Sequence, residues 1–250
     1  MKPHPYCYPG TNVYRNKFDI RDAKELDEIE RDLSGDRLLA LPHDAPITPA
    51  GCRAIHRYLF QDLYDWAGQY RRVTTGRGAA AFCRAEFIEA EMSKRFAAID
   101  AEHDLRGLAA DRFAARAAEH LDELNAIHPF LDGNGRTQRA FLEILAERAG
   151  HEIDLARVDP TAWNRASIEG FYKLNHEPLR EVIAGALVSG ARPPETSLDR
   201  REQAEHRALR VQRLQGPLAA GNLMRTIEHL SATSLHSRGR GVGRLDVDVV

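Results

Sequence analysis

Twelve consecutive residues concentrate the groups able to do chemistry: His128-Pro-Phe-Leu-Asp-Gly-Asn-Gly-Arg-Thr-Gln-Arg139. A loop of Asp132, Gly133, Asn134 and Gly135 runs into a strongly helical, apolar segment. A helix N-terminus presents unpaired N–H groups and the positive end of the helix dipole, and glycines let a bulky anion approach the backbone. Such a loop suits phosphate. Arg136 and Arg139 stand three residues apart, on one side of the first turn, and two guanidinium forks beside a phosphate nest point to a polyphosphate. Two cations at the positive end of a buried helix are a local misfit that a bound anion relieves. Asp132 would be repelled by phosphate unless a cation stood between them. Magnesium, which accepts few carboxylates plus phosphate oxygens, meets that need. His128 is the one group here able to act as a base near neutral pH, and the adjacent arginines should keep its imidazole unprotonated.

Each piece alone has a plainer reading. A His before Pro is usually a loop or cap residue, Asp-Gly-Asn-Gly is usually a turn, and helix-opening arginines are usually solvated. Taken together they predict transfer of a phosphoryl or nucleotidyl group from a magnesium-bound nucleotide to a nucleophile deprotonated by His128. The loop is neither a Walker loop, since no Gly-x-x-x-x-Gly-Lys-Ser/Thr occurs, nor a dinucleotide fingerprint.

The elements that must position these residues read as helices. Asp19 to Leu33 carries apolar residues at helical spacing and is expected to end at Ser34-Gly-Asp36. Thr48-Pro49 is a start signal for a helix placing Ile55, Leu59, Leu63 and Trp66 on one stripe, with Gly68 as its stop. Residues 71–83 lack helical periodicity. The β-branched Val73-Thr74-Thr75, the turn glycines Gly76 and Gly78, and the small residues 79–83 predict a short hairpin. Helices are expected over 84–100 and 108–126, and after Gly135, where a segment apolar nearly all round should be a buried central helix capped by Gly150. Two more should open at Asp159-Pro160 and at Pro178. Arg192-Pro-Pro-Glu195 marks a boundary, dividing the chain into a catalytic domain over 1–191 and a region over 192–250. That region is read as one charged helix, 196–214, and a disordered Gly-, Ser- and Arg-rich tail.

Composition narrows the classes. The 250 residues are 43% hydrophobic and 29% charged, which is ordinary globular composition. With 35 basic and 37 acidic residues the net charge is −2, so no electrostatic argument favours nucleic acid or a membrane surface. Three scattered cysteines have neither disulfide nor zinc spacing. No apolar run is long enough to span a bilayer, and the N-terminus lacks a signal-peptide core. A soluble cytoplasmic protein is the expectation, with a secreted effector as the alternative.

The segment His128-Pro129-Phe130-x-x-Gly133-Asn134-Gly135-Arg136-x-x-Arg139 resembles the Fic family signature at every defining position, with Asp132 at the family's acidic position. Tyr8-Pro-Gly, Arg15-Asn16-Lys17, Ile55-His56 through Phe60, Asp65-Trp66-Ala67-Gly68 and Ala146-Glu-Arg-Ala-Gly150 are similar to Fic domains as well. The resemblance implies an all-α Fic fold with a short β-hairpin flap, plus here a C-terminal helix and tail. It implies transfer of AMP from ATP to a Ser, Thr or Tyr hydroxyl of a target protein. His128 would be the base and Asp132 would hold Mg2+. Gly133, Asn134 (also through its side chain) and Gly135 would cradle the phosphates, and Arg136 and Arg139 would bind their far end. Phe130 would anchor the loop. The flap, with Val73, Thr74, Thr75, Gly76, Arg77 and Gly78, would dock an extended stretch of the target by strand addition. Members that transfer phosphate carry Lys where this chain keeps Gly135, which favours AMP. Other nucleotides, or a nucleotide-binding module without turnover, stand as alternatives, the second weakened by the intact His128.

Fic proteins are commonly restrained by an inhibitory helix of pattern Ser/Thr-x-x-x-Glu-Gly/Asn. Here no Ser or Thr has Glu four residues later, and Glu169-Gly170 is preceded by Arg165. The resemblance therefore implies a toxin-type member whose inhibitor is a separate small antitoxin offering a Glu to Arg139. Bacterial type II topoisomerases (DNA gyrase and topoisomerase IV) are the implied targets.

Overall fold

The computed structural model describes residues 4–188 and the backbone of strand 247–249. The expected helix over 196–214, and the tail other than that strand, lie outside the described residues. Seven α-helices are described: α1 (Ala23–Leu39), α2 (Pro49–Phe60), α3 (Ile88–Ala101), α4 (Ala110–Ile127), α5 (Asn134–Ala149), α6 (Pro160–Lys173) and α7 (Glu177–Ala186). Strands β1 (Thr75–Arg77) and β2 (Ala80–Ala81) form the hairpin, and β3 (Val247–Val249) pairs antiparallel with the other edge of β1. The fold is thus the expected helical one with a small hairpin. The chain divides into two compact units.

One unit holds the described residues up to Pro42 together with Leu59–Ala67. Asp22 caps α1, its side chain accepting from the Glu25 N–H. The predicted stop at Ser34-Gly-Asp36 does not occur: the helix continues to Leu39. The tertiary reason lies one turn on, where the Arg37 guanidinium meets Asp62 in two hydrogen bonds of 2.7 and 2.8 Å, its side chain only 11% exposed. Gly35 costs a helix interior about 1 kcal/mol relative to Ala, less than loss of a partly buried ion pair would cost. Tyr14, Tyr64 and Trp66 cluster in the same unit, with Tyr64 stacked on Trp66 at 4.2 Å.

The other unit holds His43–Tyr58, the described residues from Gly68 to 188, and β3. Thr48 opens α2 as expected, its hydroxyl accepting from the Gly51 N–H at 3.1 Å. The helix ends at Phe60, before the glycine read as its stop. Gly68 instead permits a close approach. It sits at φ +77°, and a Cβ there would meet Arg57 Cβ at 2.7 Å and the Arg53 carbonyl at 2.9 Å. The bare backbone lets the returning chain lie against α2. α4 packs against α3, α5, α6 and α7. α5 buries Ala140, Phe141, Leu142, Ile144, Leu145 and Ala146, all at 1% exposure or less, as its all-round apolar pattern predicts. Gly150 caps it at φ +92°. Asp159 caps α6, with Pro160 in the first turn.

Candidate active site

The site begins where α4 ends. A proline at position 129 disfavours helical geometry at the residue before it, and His128 leaves the helix in a left-handed conformation, φ 48° and ψ 61°. The chain then turns through Phe130 to Gly133, which sits at φ +75° as the N-cap of α5. Glycine carries no penalty there.

The loop is braced from inside. The Asn134 side chain is 4% exposed, and its amide spans the loop: Oδ1 accepts from the Phe130 N–H at 3.0 Å and Nδ2 donates to the Phe130 carbonyl at 2.9 Å. Its carboxamide is therefore placed as a brace, facing the loop backbone and not the outer side of the helix start. His56 supports the same loop from α2. It is fully buried and stacks on Phe130 at 3.9 Å. Its Nδ1 accepts from the Gly68 N–H at 2.8 Å, which leaves the Nε2 proton to donate to the Asp132 carbonyl at 3.0 Å. Burial holds its pKa down at about 4, so it is a neutral strut. Phe130, 1% exposed, is the expected anchor.

Charge collects on the outer side. Asp132 Oδ1 accepts from the Gly133 N–H at 2.6 Å and lies 3.9 Å from Arg136 Nη2. Arg139 lies over the Trp163 ring at 5.8 Å. Burial, then the neighbouring Arg136, pulls its pKa down to about 10, and it has no carboxylate partner among the described residues. At Gly135 a Cβ would find only Arg139 Nη1, at 3.8 Å, so the helix start is open there.

His128 is 7% exposed. Burial, reinforced by the charges of Arg77 and Arg71, pushes its pKa down to about 3, so the imidazole is neutral at physiological pH. Its Nδ1 is buried, and a hydrogen bond with the Asn125 backbone partly opposes the shift. The Phe82 ring, one residue past β2, lies face to face on it at 3.8 Å and 5°. The expected flap residues thus lie beside the imidazole: Thr75, Gly76 and Arg77 form β1, Gly78 makes the turn at φ +57°, and Val73 and Thr74 lead in.

Arg71 escaped the sequence reading. It is 2% exposed and spends its guanidinium on carbonyls: those of His128 at 2.8 Å, Val73 at 2.7 Å, Cys83 at 2.5 Å and Ile127 at 3.1 Å. Its own N–H donates to the Pro129 carbonyl at 3.0 Å. One cation thereby fastens both ends of the flap to the His128 turn. Arg71 and Arg72 stand side by side before the β-branched run with nothing to tell them apart, so only the folded chain reveals which is buried. Among the described residues no group of three or more His, Cys, Asp and Glu could hold a metal by itself. No helix among them is long and apolar enough to cross a membrane.

Comparison with known proteins agrees with this geometry. The model of the Fic/DOC family matches residues 46–146. A relative in Sinorhizobium fredii, the probable protein adenylyltransferase y4lH, is 44% identical over 168 residues, 67% of this chain and 88% of that one. The probable protein adenylyltransferase Fic of Escherichia coli is 35% identical over 175 residues, 66% of this chain and 84% of that one. The BepC effector of Bartonella tribocorum, solved with bound AMPPNP, superposes with a TM-score of 0.69 at 26% identity, covering 76% of this chain and 97% of that one. On this likeness the chain belongs to the Fic/DOC family as a nucleotidyltransferase.

Proposed function

We propose that the protein transfers AMP from Mg–ATP to a Ser, Thr or Tyr hydroxyl of a target protein. The observation that carries this reading is Arg139: a largely buried guanidinium beside a second one, at a helix N-terminus, with no described carboxylate to neutralise it. Such an arrangement is relieved by a polyanion. The α5 N-terminus and Gly135 would receive the phosphates, the open Gly135 position admitting them against the backbone, while Arg136 and Arg139 would hold the β and γ end. Asn134 contributes through its brace on the loop and through its backbone N–H. Asp132 fits a magnesium ion, since one partly exposed carboxylate beside phosphate oxygens is the donor set that ion prefers. When bound, the metal would neutralise phosphate charge.

His128 would take the proton from the incoming hydroxyl. The hydroxyl oxygen bonds to the α-phosphorus, the bond from that phosphorus to the bridging oxygen breaks, and pyrophosphate leaves. A neutral imidazole is the form that can accept a proton, and the low pKa supports that state; an approaching phosphate would raise its basicity. Positioning and charge stabilisation supply most of the rate in such transfers. The β1 edge away from β2, which β3 pairs here, would dock the target by strand addition once β3 gives way. A bacterial type II topoisomerase is the proposed target, and a separate antitoxin that offers a Glu to Arg139 is the proposed restraint.

The test uses ATP labelled at the α or the γ phosphate, with magnesium, in a bacterial lysate. Label entering protein from the α position alone supports AMP transfer; from the γ position alone, kinase chemistry replaces it. His128→Ala should lose the signal and retain nucleotide binding. Co-expression with the small neighbouring gene product should suppress labelling, and suppression that persists after that partner's Glu is changed to Gly would remove the Arg139 contact from the account.

A further inference from the structure

The flap is held from a second side, by α6. Tyr172, near the end of that helix, donates its hydroxyl to the Arg77 carbonyl at 2.5 Å, and its oxygen sits where a Cβ on Gly78 would come within 3.3 Å. Phe171 lies on Phe82 at 4.8 Å, and Phe82 lies on His128. Adjacent residues of one helix thus grip the tip and the base of the hairpin. That end of α6 is itself fixed to α4. Gly170 approaches Asp122 so closely that a Cβ would fall 2.3 Å from its carboxylate, and Asn125 Nδ2 donates to the Ser167 carbonyl at 3.1 Å. Three residues beyond Asn125 stands His128.

We infer that Phe171 and Tyr172 are positioning residues: a clamp that sets the height of the flap over His128 and so fixes where a docked target presents its hydroxyl. The inference rests on the proposed role of the flap in docking. Its parts follow from the packing. Phe82 touches the imidazole face, so any rise of the hairpin strips that face of its cover. Arg71 holds only the hairpin base; at the tip Tyr172 holds the Arg77 carbonyl from the α6 side, while β3 pairs the strand edge. Neither clamp residue belongs to the phosphate loop, so nucleotide binding should be indifferent to them.

Tyr172 is 49% exposed, and Tyr172→Phe removes one hydroxyl with little risk to the fold. The full chain, wild type and variant, is assayed with α-labelled ATP and magnesium in the same lysate. There the target is dilute and the labelling rate follows kcat/KM for it. The variant should label about fivefold more slowly, the scale of one hydrogen bond, with the ATP concentration for half-maximal rate unchanged. Amides of residues 75–82 should exchange with solvent faster in the variant. Tyr172→Trp, which keeps a donor on an aromatic, should recover part of the rate. Equal labelling by wild type and Tyr172→Phe overturns the clamp, as does a matching rise in the ATP requirement. If the wild type labels nothing, the AMP-transfer reading fails instead, and the exchange measurement still decides: unchanged exchange at 75–82 overturns the clamp.

Discussion

Gly135 separates folding from binding at the level of a single atom. A Cβ there would touch only Arg139 Nη1, at ordinary contact distance, and Ala is the better helix former by about 1 kcal/mol. Gly135→Ala should therefore leave the melting temperature equal or slightly higher, while weakening ATP binding at least tenfold, because the methyl occupies the space a phosphate needs. Calorimetric titration with ATP and magnesium checks both parts, and undiminished affinity would move the phosphates elsewhere. His128 offers a second handle. Its pKa is depressed to about 3 from the ordinary 6.5, so between those values the unfolded chain binds more protons than the folded one. The sign follows: stability is complete above about pH 6.5 and is lost as pH falls through that window, by up to about 1.4 kcal/mol per pH unit for one imidazole. His56, held at about 4, adds in the same direction. Asp122, raised to about 6 by burial, acts oppositely, so the informative quantity is a difference. Melts between pH 7 and 5 should fall less steeply for His128→Asn than for wild type; parallel curves would mean that the imidazole is solvated.

At the scale of elements, the hairpin is too short to stand alone, since two-stranded hairpins are marginal in water. It exists because Arg71 collects carbonyls from both of its ends and from the α4 terminus. Arg71→Met nearly keeps the volume and removes every side-chain donor, leaving several buried carbonyls unpaired at about 1–3 kcal/mol each before relaxation. We expect a loss of about 3 kcal/mol or more in urea unfolding, together with faster amide exchange at Phe82 and Cys83, whose N–H groups bond to the Thr75 and Ala126 carbonyls. Faster exchange confined to the tip would instead make Tyr172 the main restraint. The loop is held in the same way, with His56 and Asn134 using their polar atoms on backbone groups.

Across the whole chain, β3 pairs with β1, Thr75 opposite Val249 and Arg77 opposite Val247. The edge proposed for the target is thus occupied by residues of the chain itself. A tethered segment competes at an effective concentration that can reach the millimolar range. A chain lacking residues 246–250 should reach half-maximal labelling at a lower target concentration, with the same ATP requirement. Identical target dependence with and without those residues would show that docking does not use this edge.

What the sequence determined by itself was the chemistry-bearing segment and most of the helical elements. Both are local: a glycine loop running into a helix, helix starts at Thr48 and Asp159, and apolar periodicity are short-range patterns, written within a few turns of chain. The same locality misplaced the end of α1, because Ser34 and Gly35 look like a stop until Asp62, far along the chain, draws Arg37 into helical register. It also hid the roles of Arg71, His56 and Tyr172, whose decisive partners lie 12 to 95 residues away. Only the tertiary structure brought the Phe82 face onto His128 and turned the Asn134 side chain into a brace, since burial and the pairing of buried polar atoms are properties of surfaces that meet after the chain has folded.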